Sequence, residues 1–336
     1  MMRKGNFPHE QWPRAAPPEV GMSADKLGQT RRWLDENAGD GRYRIVIVRD
    51  GKVIAEWNHN LDRDERLGMA SAAKSIFSCM LGIAIDEGKI ASVDARIVQC
   101  YPEAMDVPED EGPKPGRHAR QKDHDITFRQ LISNTSGYLK PDEQPGKVFH
   151  YQTFGMNILT HAISKAYGLY DIRNPEDSPG LRHLVDARLR IPMQGAWDYS
   201  LNNFDLHLKA RLHIFGYYDA VKASALDMAR MGWLWRHFGR WGDRRLVPEA
   251  WLREATQTAP DIHANCPPEQ WQYGYGFWTN DHGKLWPDLP RDGFAARGAG
   301  NQYIAVFPSL DLVVVQGPGL PDADAPLLKR ILDACA

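Results

Sequence analysis

Strand-like patterning is concentrated near the two ends of this chain, and that distribution restricts the folds open to it. Near the start, "YRIVIVRDGKVIAEW" alternates or runs apolar on either side of Asp50-Gly51, the strongest short signal for a β-hairpin. Near the end, "YGYGFWTN" (273–280), "GFAARGAGNQYIAVFP" (293–308) and "LDLVVVQG" (310–317) read as strands joined by turns. Between them the periodicity is helical, with helices expected over 71–87, 127–134, 154–167, 180–188 and 224–237. Further helices are expected over 22–38 and in the closing "PLLKRILDACA". The economical arrangement is an α+β fold with one antiparallel sheet assembled from both chain ends and flanked by the terminal helices. Residues 1–70 and 239–336 then form the α/β sheet domain, and residues 71–238 a mostly α-helical domain, with the active site at the seam. The stretch 107–125, "VPEDEGPKPGRHARQKDHD", is rich in charge, Pro and Gly and reads as a long surface loop.

The seam is where the most informative short motif falls. In "GMASAAKSIFSCMLGIAIDEGKI" (68–90), Ile76, Phe77, Met80, Leu81, Ile83, Ala84 and Ile85 recur at helical spacing and Gly88 supplies a stop. Ser71 therefore falls at a helix start and Lys74 one turn in. Burial and the helix N-terminus both disfavour a cation there, and a lysine with a lowered pKa can take a proton from a serine one turn away. From this stretch alone two readings stand: a nucleophilic serine with its base, or a capping serine with the lysine snorkelling out to solvent. A second Ser-x-x-Lys, Ser23 to Lys26, opens a charged helix in which Ser23 reads as a plain N-cap.

Composition removes other classes. A net charge of −2 without a basic run argues against nucleic acid or an anionic membrane as a partner. The opening "MMRKGNFPHEQWPRAAPPEV" has no apolar core of leader length and no stretch is long enough to span a bilayer, so a cytoplasmic location is expected. Cys79, Cys100, Cys266 and Cys335 are scattered, which suits free thiols better than disulfides, and no His, Cys or acid cluster has metal-ligand spacing. No cofactor and no metal are expected. The G-x-S-x-G nucleophile elbow is absent as well.

Read in order, "SAAK", "ITFRQLISNTSGY" (126–138), "GKVFHYQTFGMNILTHAISKAYG" (146–168), "ASALDMARMGWLW" (223–235) and "GAGNQYIAVFPSLDLVVV" (298–315) resemble the landmarks of the serine β-lactamase-like superfamily. The resemblance is greatest to the branch of class C β-lactamases, D-alanyl-D-alanine carboxypeptidases, family VIII carboxylesterases and 6-aminohexanoate-dimer hydrolases. It implies a β-lactamase/transpeptidase-like fold and a serine hydrolase that works through an acyl-enzyme on a small-molecule ester or amide. Ser71 and Lys74 would be nucleophile and base. Tyr151, in "FHYQT", stands at the tyrosine of the Tyr-x-Asn motif, where a phenol near an ammonium would have its pKa lowered and share proton transfer with Lys74. Gly298 would let backbone approach the substrate, and the N–H groups of Ser71 and Ala299 would form the oxyanion hole.

The chain departs from the pattern at two substrate positions. Thr153 stands where the family has the Asn of Tyr-x-Asn, and Ala296-Arg297-Gly298 stands where it has Lys-Thr-Gly. An amide and a cation are thereby lost from the site, which favours a carboxylesterase on small esters, or on simple amides, over a β-lactamase or D-amino-acid peptidase. A protein that is acylated without turning over is a further alternative. Arg297 could supply a cation for an acidic substrate, whereas strand alternation favours the reading that it turns away as a solvated arginine. Trp271, Tyr273, Tyr275, Trp278 and Trp286 are candidates for the wall of an acyl pocket.

Overall fold

The computed structural model describes residues 7–320 and 324–335. Residues 1–6 of the opening stretch and Ala336 at the end of the last helical segment lie outside them. The described residues supply eleven strands: β1 (Tyr43–Arg49), β2 (Lys52–His59), β3 (Leu67–Gly68), β4 (Asp198–Asn202), β5 (Tyr218–Ala223), β6 (Arg240–Trp241), β7 (Arg244–Arg245), β8 (Trp278–Thr279), β9 (Phe294–Gly298), β10 (Gln302–Phe307) and β11 (Leu312–Gln316). Six of them make one antiparallel sheet in the order β2-β1-β11-β10-β9-β8, so the N-terminal hairpin docks directly on the last strand of the chain.

The β1–β2 connection is the two-residue turn that the sequence announces. Asp50 and Gly51 have φ values of 49° and 72°, the left-handed pair that matches the twist of a hairpin. Strand alternation then separates two cores. Val46, Val48, Ile304, Val306, Val313 and Val315 face the larger one, while Ile45, Ile47, Ala305, Phe307, Leu312 and Val314 face the smaller. The smaller core is closed by the helices Ala24–Ala38 and Asp324–Asp333, through Leu27, Leu34, Leu327, Leu328 and Ile331. The fold class is therefore the expected one.

The helix Ala225–Arg236, which its periodicity groups with the inserted helices, lies against the sheet, with Gly232 over Val313 of β11 and Ile304 of β10. At the centre of the larger core is the helix Lys74–Asp86, in which every residue from Lys74 to Ala84 is buried. Its polar groups are satisfied by the body around it. The Ser75 hydroxyl donates to the Gly276 carbonyl at 2.6 Å, and the Trp251 indole donates to Ser78 Oγ at 3.3 Å. Such pairing is what lets polar side chains lie inside a core.

Two features differ from the sequence expectation. Only Trp278–Thr279 of the segment 273–280 joins the sheet. Gly274 lies against the carbonyls of Ala255 and Gln257 and Gly276 has a φ of 78°, so the chain turns where its aromatic alternation suggested a strand. A second sheet, β3-β5-β4, joins Leu67–Gly68, just before the serine motif, to two strands of the region 71–238, all of them short strands that periodicity missed. Among the described residues no helix is long and apolar enough to cross a membrane.

Gly232 gives a test of the helix-on-sheet contact. A Cβ at this position would lie 2.5 Å from Val313 Cγ1 and 2.7 Å from Ile304 Cγ2. Gly232→Ala gains at most about 1 kcal/mol of helix propensity but overpacks the contact at about 1–3 kcal/mol. A lower urea midpoint is the expected result, and a higher one would show that the strand side chains repack freely.

Candidate active site

Ser71 lies on a 3₁₀ turn, Ala70–Ala73, that leads into the helix Lys74–Asp86. It is therefore one turn before the α-helix rather than at its N-cap, and its side chain caps neither element. The turn is held from both sides. On one side the Met69 N–H donates to the Val221 carbonyl of β5 at 2.9 Å. On the other stand the cross-strand partners Gln302 and Gly298 of the large sheet: the Gln302 side-chain amide of β10 donates to the Gly68 carbonyl, and Gly298 ends β9 against the turn, where a Cβ would collide with the Met69 carbonyl and lie 3.0 Å from Ser71 N. Ala70 adopts a φ of 48°, a left-handed conformation that costs a non-glycine residue energy and that these contacts maintain.

The hydroxyl freed from capping meets the lysine. Lys74 Nζ is 2.6 Å from Ser71 Oγ. Lys74 is 1% exposed, and burial lowers its pKa from 10.5 to about 8, with no carboxylate among the described residues to offset the loss of solvent. The snorkelling alternative is excluded by that burial. An amine of this pKa is unprotonated in a substantial fraction of molecules near neutrality and can accept a proton from the serine.

Tyr151 precedes the helix Phe154–Ala166 and is brought to the same point. The ammonium of Lys74 sits over its ring, 4.8 Å from the centroid. The opposing influences on its hydroxyl do not sum as the sequence suggested. Burial raises the Tyr151 pKa and outweighs the lowering effects of Ser71 and Arg297. The cation faces the π cloud of the ring. Tyr151 is thus a phenol that holds its proton, suited to donate rather than to accept.

The remaining expected residues divide. Thr153 lines a cavity of about 400 Å³ together with His150 and Gln152, the neighbours of Tyr151 in the chain, and that lining does not include Ser71, Lys74 or Tyr151. Ala299 follows Gly298 in the exposed β9–β10 turn. Ala296 is buried on the larger-core face of β9, opposite Ile304, and brings no polar group there. Arg297 pairs with Asp324 at 2.6 Å and lies 5.5 Å over the ring of Trp278, so its charge is already neutralised at the sheet edge. Of the five late aromatics, Tyr273 and Trp278 pack on Tyr151, with ring centroids at 5.7 and 5.5 Å. Trp271 stacks with His263, Tyr275 with Trp251, and Trp286 lies in the smaller core. Sequence reasoning missed Gln302, Met69 and Val221, whose part in holding the serine turn is played through backbone or across strands.

Comparisons with known proteins give the family and the fold. The family model described as Beta-lactamase matches residues 41–316. No curated protein matches the chain. Among solved structures, a Bacillus anthracis protein described as a 6-aminohexanoate-dimer hydrolase superposes with a TM-score of 0.68 at 17% identity, covering 99% of this chain and 89% of its own. A family VIII carboxylesterase gives 0.67 at 12% identity, with 97% and 99% covered. A penicillin-binding protein homologue from Caulobacter crescentus gives 0.66 at 14%, with 94% and 99% covered. The fold is the α+β arrangement of β-lactamases and transpeptidases.

The lysine carries a pH signature in both activity and stability. If unprotonated Lys74 is the base, kcat/KM should rise about tenfold per pH unit at low pH and level off above an apparent pKa near 8. The unfolded chain binds this proton more tightly than the folded one, so the stability lost at neutral pH is regained as pH rises from about 8 to 10.5. Lys74→Met should abolish turnover yet raise stability at pH 7 by up to about 3 kcal/mol, measured by urea unfolding. A Lys74→Met protein less stable than the parent at pH 7 would contradict the buried, uncompensated lysine.

Proposed function

The chain belongs to the Beta-lactamase family, and on that footing we propose that it is a serine hydrolase acting through an acyl-enzyme, with small carboxylic esters as preferred substrates and simple amides next. The observation that carries the reading is the 2.6 Å contact of Ser71 Oγ with a buried lysine whose pKa is pushed down to about 8. Lys74 takes the hydroxyl proton as Ser71 attacks the carbonyl carbon. The backbone N–H groups of Ser71 and Ala299 hold the developing oxyanion. Tyr151, still protonated, gives its proton to the leaving oxygen and is reprotonated from Lys74. Water then attacks the acyl-enzyme with the same groups in reverse roles, releasing the acid and restoring Ser71.

The ester preference rests on the strand beside the serine. Ala296 puts no cation on β9, and Arg297 is engaged by Asp324. Thr153 supplies a hydroxyl where the related motif has an amide. Charge-assisted hydrogen bonds of the kind that hold a β-lactam carboxylate contribute about 1.5–3 kcal/mol each, or roughly ten- to a hundredfold in rate. A short ester needs neither group.

Two experiments test the assignment. Mass spectrometry after treatment with an active-site phosphonate should place the adduct on Ser71, Ser71→Ala should lose turnover, and Tyr151→Phe should lower kcat by about a hundredfold with little change in KM. An adduct on Ser23 or Ser136 would sink the mechanism. For substrate class, kcat/KM for a short p-nitrophenyl ester should exceed that for nitrocefin by several orders of magnitude. Equal efficiency on nitrocefin would move the β-lactamase reading to first place.

A further inference from the structure

The cavity beyond Tyr151 is bounded on one side by part of the long loop that the sequence marks out. Lys114 to Arg117 form a tight turn there. The Arg117 N–H donates to the Lys114 carbonyl at 3.1 Å, Pro115 occupies the second position, and Gly116 takes the third with a φ of 74°. This is the chemistry of a type II turn, which brings its first and fourth residues together. Lys114 and Arg117 therefore stand side by side on the cavity wall.

The loop that carries the turn is fixed in place. The His207 N–H donates to the Pro113 carbonyl at 3.0 Å, the Arg211 N–H to the Glu111 carbonyl at 3.1 Å, and the Ala119 N–H to the Val107 carbonyl at 2.8 Å. Gly112 packs so closely on the Arg117 carbonyl that no side chain would fit. Three of its acids face other cations. Glu111 pairs with Arg211 and Asp123 with Lys122, and Asp110 faces Lys209 at 3.9 Å. Two other basic groups on the wall, Lys140 and His150, share Glu143 at 2.8 Å each. Among the described residues Lys114 and Arg117 have no ion pair or side-chain hydrogen bond.

The cavity wall thus carries two cations that form no ion pair among the described residues, Lys114 exposed and Arg117 half-buried, and a single lining carboxylate, Asp205, also exposed. Burial, with smaller contributions from the charges of Arg117 and Lys122, holds Lys140 below its ordinary pKa despite Glu143. Phe154 and Phe204, with ring centroids 6.0 Å apart, give the cavity an apolar wall beside the cations. His150 and Gln152, two of its lining residues, flank Tyr151 in the chain, so the cavity adjoins the segment that carries the tyrosine.

We propose that Lys114 and Arg117 are a carboxylate-binding subsite, and that the substrates of this enzyme are esters or amides that carry a free carboxylate a few carbons from the scissile carbonyl. The proposal rests on the serine-hydrolase reading for the bond that is cut, but the anion site is a separate physical claim. A guanidinium with an ammonium beside it binds a carboxylate through charge-assisted hydrogen bonds, and salt weakens such a site when it is open to solvent.

Paired substrates read the subsite directly. Mono-p-nitrophenyl glutarate against p-nitrophenyl valerate puts the carboxylate on the acyl part, and 4-acetoxybenzoate against methyl 4-acetoxybenzoate puts it on the leaving part. For at least one pair, kcat/KM should favour the anion by about tenfold or more at low salt. That ratio should fall towards one in 0.5 M NaCl and in the Lys114→Gln/Arg117→Gln variant. A ratio at or below one for both pairs, or one that the double substitution does not change, overturns the subsite. A failure of the serine assignment would look different, with Ser71→Ala still cleaving the neutral esters. Calorimetric titration of glutarate into Ser71→Ala decides the anion site without turnover: binding at least ten times weaker once Lys114 and Arg117 are also replaced supports it, and equal binding overturns it.

Discussion

Everything distinctive in this molecule depends on a lysine buried without a counter-charge. Lys74 begins a helix whose first three turns are enclosed on all sides, and its nearest polar partner is the Ser71 hydroxyl at 2.6 Å. Burial of that ammonium disfavours its charge, and the fold bears the cost because the surrounding packing is extensive enough to exceed it. The same cost is the source of the reactivity. A solvated or ion-paired lysine would stay protonated near neutrality and could take nothing from a serine.

The lysine alone would be idle without the restraint on Ser71. The serine turn is held between two sheets, with Met69 on β5, Gln302 of β10 reaching Gly68, and Gly298 of β9 pressed against the turn's backbone. Such contacts explain how Ala70 can hold a left-handed conformation. They also explain the glycine at 298, since a Cβ would strike backbone, which cannot rotate out of the way as a side chain can. Tyr151 completes the group from the opposite side, its ring under the Lys74 cation and against Trp278 and Tyr273.

Much of this was legible in advance because it is local. The hairpin at Asp50-Gly51, the strands on either side of residues 299–301 and the apolar helix after Ser71 each follow from periodicity and turn chemistry within a few residues. The segment 273–280 misled because its aromatics alternate, although Gly274 and Gly276 fold the chain against Ala255 and Ser75. The sheet β3-β5-β4 is illegible in the sequence because its strands are two to six residues long and β3 pairs with β5 across well over a hundred positions.

The sequence by itself determined which groups could react, by placing a serine and a lysine one turn apart at the head of an apolar helix, and which ends of the chain had to meet in one sheet. Tertiary structure decided their electrical state. Whether Lys74 is buried or solvated, whether the Tyr151 pKa falls or rises, and whether Arg297 reaches the cleft or pairs with Asp324 all depend on residues distant in the chain. So does the position of the Lys114–Arg117 turn, which reads along the chain as part of a solvated charged loop and becomes a cavity wall only when segments 138–154 and 204–205 fold against it. Periodicity records which side of an element is apolar. Desolvation and charge pairing are set by what packs against that side, and that information exists only in three dimensions.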